Sequence, residues 1–293
     1  MSLLVSVFQI VAPVFFLAGI GFVWVKVGFE YRIKFVTQLA MTLSVPCLIF
    51  TALMKTEVNA NLLQSVILAS FVCYLFITVA AFALVKSFGL RIRTFLSPFI
   101  FGNTGNIGLP VCLFAFGTIG LDFAVVIFAV MAIYNFTFGV WIVSGGGSPI
   151  KALKEPLIPA VLLGAGFSIY DLQTPKFLTD TLELIGQMAI PLMLMTLGVA
   201  IGRMKSSGLK KVFWPAVWKF LVCLICAVLV VWLFKLPKVA GAVLILQVTT
   251  PVAVTSYLLA EKYGTDADSV AALVIVSTFI SILFIPVCLA FLI

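Results

Sequence analysis

The stretch Phe101 to Val111 reads FGNTGNIGLPV. It sets two asparagines, a threonine, a proline and glycines at 102, 105 and 108 inside an otherwise apolar run. Asparagine offers a donor and an acceptor, so Asn103 and Asn106 can bind a carboxylate or satisfy interrupted backbone. Proline removes an N–H and clashes with the preceding turn, and glycine lets a chain leave helical geometry. Backbone groups freed in this way cannot face lipid, where each costs several kcal/mol, so they must meet protein, water or a ligand. A second interruption, Thr249-Thr250-Pro251, lies in LQVTTPVAVTSYLL. There Thr250 and Pro251 read as the N-cap and first residue of a half-helix, whose positive dipole end lies near mid-membrane. The residues from Asn106 to Pro110 read the same way, and two such ends attract an anion. A lone proline in a membrane helix is commonly a kink and a lone asparagine packing glue. Two breaks with two asparagines point instead to a binding site.

Other chemistry is thin. Lys219, within FWPAVWKFLVCLICAVLVVW, is the one clear charge inside an apolar run. It reads either as a snorkelling lysine near an interfacial belt of Trp214 and Trp218, or as a charge for anion binding or gating. No carboxylate lies deep in a run, since Asp122, Glu183 and Glu261 fall near ends. Cys223 and Cys226 form a C-x-x-C with no second pair, and the chain has no histidine, so no metal site or cofactor is expected. The missing histidine also removes Ser-His catalysis and H-E-x-x-H, and no G-x-x-x-x-G-K-[ST] is present. An enzyme is therefore not expected.

The elements that carry these residues are membrane spans. Of 293 residues, 63% are apolar and 10% charged, against roughly 45–50% and 25% for soluble domains. Ten apolar segments are predicted, at 4–25, 35–54, 62–85, 94–117, 121–143, 157–171, 177–202, 212–234, 238–261 and 267–292. The opening MSLLVSVFQI lacks a basic start, so the first reads as a retained helix. A Gly/Ser/Pro-rich linker, Ser144 to Pro156, separates residues 1–143 from 157–293, five spans on each side. With the N-terminus outside, inside loops carry thirteen Lys and Arg and outside loops four (Lys55, Lys176, Lys235, Lys238), which places both termini outside and the linker in the cytoplasm. The net charge of +8 lies between the spans and not on a soluble module, so no nucleic-acid partner is expected.

The halves look alike. Pro46 after MTLSV and Pro191 after GQMAI are 145 residues apart, and FGTIGLDFA (116–124) resembles YGTDADSVA (263–271) at an offset of 147. An odd number of spans per repeat makes the second repeat inverted, a pattern of secondary transporters, with broken spans at the binding site.

GNTGNIGLP, PCLIF (46–50), AIPLMLMTLGVAI (189–201) and TTPVAVTSYLLAEKYG (249–264) resemble the auxin efflux carrier family, which includes plant PIN carriers and bacterial malate or malonate permeases. The resemblance runs over essentially the whole chain. It implies an all-α polytopic fold of ten helices in two inverted repeats, with the fourth and ninth broken and crossing. It implies a scaffold from helices one, two, six and seven, a transport domain from the rest, elevator-like motion and an organic anion as substrate. A homodimer is implied on the same ground. Carried over, Asn103, Gly105, Asn106 and Pro110 match the first crossover and Pro251 the second; Thr104, Thr249 and Thr250 beside them are further candidates for binding the substrate. Ser44 and Pro46 fall on the second helix facing the site, and Tyr134 and Asn135 where the fifth helix approaches it. The central loop is short, unlike that of the plant carriers, which puts regulation by loop phosphorylation in doubt. The expectation is a secondary carrier of a small carboxylate in the cell membrane. A cation-coupled carrier of related fold, a channel and a non-transporting sensor are the alternatives.

Overall fold

The computed structural model describes residues 3–56, 58–146, 156–203 and 208–293. Most of the Ser144–Pro156 linker, including Ser148, Lys151 and Lys154, lies outside them, as does Lys205. The described residues are helical, joined by short turns, with one isolated bridge and no strand. Seven helical stretches are long and apolar enough to cross a membrane, and Ile158–Ile169 and Lys238–Val248 are shorter apolar helices. Large apolar side chains such as Phe16, Val79, Trp232 and Phe291 stand exposed around the outside, as a lipid-facing belt requires.

In chain order the elements are α1 (Leu3–Lys26), α2 (Ile33–Leu39) running through a π segment (Ala40–Ser44) into α3 (Val45–Lys55), α4 (Ala60–Ser87) and α5 (Ile92–Ile100). After a gap comes a second π segment (Thr104–Gly108), then α6 (Leu109–Tyr134), a third π segment (Asn135–Gly139) and α7 (Val140–Ser144). The rest is α8 (Leu157–Ile169), α9 (Lys176–Gln187), α10 (Ala189–Arg203), α11 (Leu209–Phe234), α12 (Lys238–Val248), α13 (Val254–Lys262) and α14 (Ala267–Leu292). Side-chain caps set two helix starts among the described residues. The Asn59 side chain accepts from the Asn61 N–H at 2.8 Å to start α4, and Asp266 accepts from Ser269 at 3.1 Å to start α14.

The stretch Thr104–Ser144 is 41 residues long, about 60 Å if straight and twice a bilayer core. It is not straight. Gly117 has φ 66° and ψ −153°, outside helical geometry. A Cβ on Gly120 would come within 2.5 Å of the Cys112 carbonyl oxygen, whereas eight residues of straight helix separate such positions by about 12 Å. The chain therefore folds back at Gly117, between the predicted segments 94–117 and 121–143.

Two packing groups follow from helix neighbours. In the first, α1 lies along α10, and α3 packs between α8 and α9. Glycines allow these approaches. Gly198 faces the Ala18 backbone, Gly21 faces that of Met195, Gly164 faces Phe50 and Leu53, and Gly186 faces Cys47 and Leu48. In the second, α4 packs on α5, α6 and α11, α12 on α6 and α11, and α14 on α11 and α13.

Candidate functional site

The two interruptions meet. Between α5 and the second π segment the chain runs extended through Phe101, and between α12 and α13 it leaves the helix from Thr249 to Ala253. Gly102 and Val252 form an antiparallel bridge, and the Asn103 N–H donates to the Pro251 carbonyl at 2.6 Å. The Ser277 hydroxyl on α14 accepts from the Val252 N–H at 3.0 Å. Backbone groups freed by each break are thus satisfied largely by the other break and by α14.

Gly102 lies in the non-helical break, and the three glycines of the first crossover have a further use. None has positive φ. Each gives room to a different neighbour: Gly102 to the Thr250 hydroxyl, Gly105 to Met193 and Phe128, and Gly108 to the Gln247 side-chain carbonyl. They are spaced for close approach and not for left-handed backbone.

A small, partly open cavity of about 60 Å³ lies beside the crossing, lined by Asn103, Gly105, Asn106, Asn135, Ala253 and Thr255 among others. Residues from the first turns of both half-helices line it. In the first, the Ile107 and Gly108 N–H groups bond back to the Asn103 carbonyl, so the N–H groups of Thr104, Gly105 and Asn106 precede the first helical bond. In the second, α13 starts at Val254 with Ala253 extended as its N-cap and no side-chain cap. Asn103 Nδ2 and Asn135 Oδ1 are buried without a partner. Each of the three π segments contributes to the wall: Met41 from the first, Gly105 and Asn106 from the second, Asn135 and Phe136 from the third. Such widened turns recur at functional sites because they turn an extra side chain out of register.

Other expected residues lie elsewhere. Thr104 and Ser44 are buried, each with an unpartnered hydroxyl, and neither lines the cavity. Pro110 occupies the first turn of α6. Tyr134 points away: its hydroxyl is 3.1 Å from that of Thr78, and its ring stacks on Phe138 at 5.0 Å. Thr250 and Pro251 do not start the second half-helix. The Thr250 hydroxyl donates 2.7 Å back to the Gln247 carbonyl and that of Thr249 donates 2.7 Å to Ile245, so both close the end of α12. Pro251 disfavours helix at the residue before it, and its carbonyl is taken by Asn103.

Lys219 does not snorkel. It is 2% exposed, and its Nζ donates to the Thr250 carbonyl. Trp214 and Trp218 are exposed, so α11 turns its tryptophans to lipid and its lysine inward. Thr249, Thr250, Pro251, Ser277, Ser281 and Lys219 share a separate cavity of about 10 Å³.

Two larger cavities flank the crossing. One of about 840 Å³ gathers Lys34, Arg203 and Lys262 against Glu261, and shares Met41 with the small cavity. The other, about 1000 Å³, holds Lys55 and Lys238 with Asp122 and Glu183. Residues assigned by charge to one side of the membrane stand together in each.

Sequence reasoning missed Met41, Met193 and Thr255 in the wall, and Gln247 and Ser277 at the crossing. Gln247 is the one amide in the 238–261 run, the signal that singled out Asn103. The methionines carry no signal, because an apolar residue in an apolar run reads as packing.

Residues 144–289 match the model of the family described as "Membrane transport protein". The match covers just under half of the chain and agrees with the resemblance to the auxin efflux carriers. It is also 26% identical over 278 residues to a protein of Methanocaldococcus jannaschii named as an uncharacterized transporter, covering 87% of this chain and 88% of that one. The family match falls on the half with the second crossover, whereas GNTGNIGLP lies in the other half. The relative's alignment spans most of both. A multi-pass membrane protein similar to this transporter family thus carries the crossing and the cavities beside it.

Proposed function

We propose that this protein is an auxin efflux carrier family member and a secondary carrier of a small organic anion, bound in the cavity between the first turns of the two half-helices. The observation that carries this is the convergence of both positive helix ends on a cavity where Asn103 Nδ2 is a buried donor without a partner. A deep arginine or lysine is not among the residues lining that cavity, so amides and backbone N–H groups do the binding. About 60 Å³ holds roughly five waters at about 10–15 Å³ each, so an organic anion needs a wider opening.

Helix neighbours support ten spans in inverted repeats. The first segment pairs with the seventh through α1 and α10, and the sixth pairs with the second through α8 and α3, as a two-fold axis in the membrane plane requires. The antiparallel meeting of the breaks fits the same axis.

An elevator motion is supported by the contrast between packing groups. Glycine contacts lock α1 to α10 and α3 to α8 and α9, which gives a rigid frame. Met41 and Met193 are what that frame presents to the cavity, and methionine adapts to a changing surface. The cavity with Lys34, Arg203 and Lys262 is then the cytoplasmic entry, where cations concentrate anions. A cysteine at Ser148, in a background without native cysteines, tests this side: labelling of intact cells by an impermeant reagent reverses the orientation.

Uptake by purified chain in vesicles, over a panel of radiolabelled mono- and dicarboxylates, tests the function. Saturable uptake with exchange is expected. Flux that does not saturate favours a channel, and no flux for any anion in the panel removes the carrier reading.

A further inference from the structure

We propose that the Lys219 ammonium is a built-in cation of the second crossover, filling the place where a carrier with a broken helix would bind a metal cation. Three features lead there. The α12 helix ends in mid-protein at Thr249, and a helix C-terminus gathers negative partial charge and attracts cations. The carbonyl at that end, Thr250 O, accepts from Lys219 Nζ. Four hydroxyl residues, Thr249, Thr250, Ser277 and Ser281, share the wall with apolar side chains such as Phe220 and Ile280, and no carboxylate is among them.

Unwound carbonyls and hydroxyls at the C-terminal end of a half-helix are the ligand set that holds coupling cations in carriers of inverted-repeat design. Here the remaining space is about 10 Å³, at the lower limit for one water, so no metal ion fits beside the ammonium. Lys219 is tethered to α11, which packs on α12 and α14. The charge therefore travels with the crossover and is not exchanged with solvent. It holds the second break from behind, while the Pro251 carbonyl, one residue on, receives the Asn103 N–H of the anion cavity. Lys219 is thus a positioning residue for the crossing and not a group that touches the anion.

The proposal rests on the carrier reading only for its second readout. The first is the melting temperature of purified protein in detergent, in sodium, potassium and N-methylglucamine chloride. Parent protein is expected to melt alike in all three, and specific stabilisation by sodium or potassium overturns the proposal whatever the variants do. Lys219→Met, which keeps side-chain length and removes charge, is expected to melt lower, and an unchanged melting temperature overturns the proposal. Lys219→Ala is then titrated with n-butylammonium and with n-butanol as a neutral match. Recovery with the ammonium alone supports a cation site, and equal recovery with both shows that only volume was lost and overturns it. If either variant fails to fold, the parent's cation dependence still decides. The second readout is binding of malonate as a small dicarboxylate probe, expected to weaken in Lys219→Met because the second crossover loses its support; unchanged malonate affinity overturns the positioning role. Malonate that parent protein does not bind argues against the carrier reading and leaves the melting result standing.

Discussion

The two crossovers meet backbone to backbone yet are finished in opposite ways. The second is closed. Thr249 and Thr250 turn their hydroxyls back onto α12, Ser277 accepts the Val252 N–H, Lys219 covers the Thr250 carbonyl, and about 10 Å³ is left beside it. The first is left open. Asn103 Nδ2 has no partner, nor does Asn135 Oδ1 from the neighbouring π segment, and both residues line a cavity of about 60 Å³. A buried amide without a partner costs about 1–3 kcal/mol; the first crossover keeps that cost at the cavity wall, whereas the second keeps it only at Gln247 Oε1, behind Gly108 and away from the cavity. The satisfied break acts as the fixed half of the site, and the unsatisfied one is set to receive a ligand.

Mutations can break this contrast, beginning with the contact that joins the two halves. Gly102→Val should have the largest effect. Its side chain must displace both the hydroxyl and the backbone carbonyl of Thr250, so the bridge to Val252 cannot form. Overpacking commonly costs about 1–3 kcal/mol and here also breaks the crossing, so little monodisperse protein is expected on size-exclusion chromatography. A well-behaved variant with parental anion binding shows that the bridge is dispensable.

Next comes the open half. Asn106 lines the cavity, and a hydrogen bond to a charged group is worth roughly 1.5–3 kcal/mol, so Asn106→Ala should weaken anion binding about ten- to a hundredfold. Asn106→Asp should be worse, because it opposes one carboxylate to another. Both should melt near the parent. Parental anion binding by Asn106→Asp moves the site elsewhere, and failure of both to fold makes the asparagine structural.

At the closed half the order of effects should reverse. Ser277→Ala leaves the Val252 N–H buried without its acceptor, an expected loss of about 1–3 kcal/mol read as a lower melting temperature. Anion affinity measured on the folded fraction should change less than in Asn106→Ala. A larger loss of affinity than of stability erases the division between a binding and a structural crossover.

The smallest stability effect should come from Asn103→Ala. Its Nδ2 makes no bond to lose, and its backbone N–H still reaches Pro251. The cost of about 1–3 kcal/mol relieved by removing the unpartnered amide is offset by the cavity that alanine leaves, so stability should stay near the parent's while anion affinity falls. A marked drop in melting temperature assigns Asn103 to the fold.

Much of the frame was legible in the chain. The apolar runs gave helices at nearly the observed bounds, as with 267–292 against Ala267–Leu292, because lipid demands unbroken apolar helix and turns demand glycine, asparagine and charge. Both breaks were visible for the same reason. Local sequence could not assign the partners. The glycines at 102, 105 and 108 announced an irregular backbone, but their neighbours Thr250, Met193 and Gln247 come from elsewhere in the chain. Lys219 looked like a snorkelling residue, because a distance along one helix says nothing of the face that packing turns inward. Met41 and Met193 look like any other apolar side chain until two elements bring them to the same cavity. The sequence by itself determined where this chain must be helical and where it must break, since those are local costs of backbone in lipid. Only the tertiary structure decided which break is satisfied and which is left open, because that depends on which distant oxygen or nitrogen arrives within hydrogen-bonding distance.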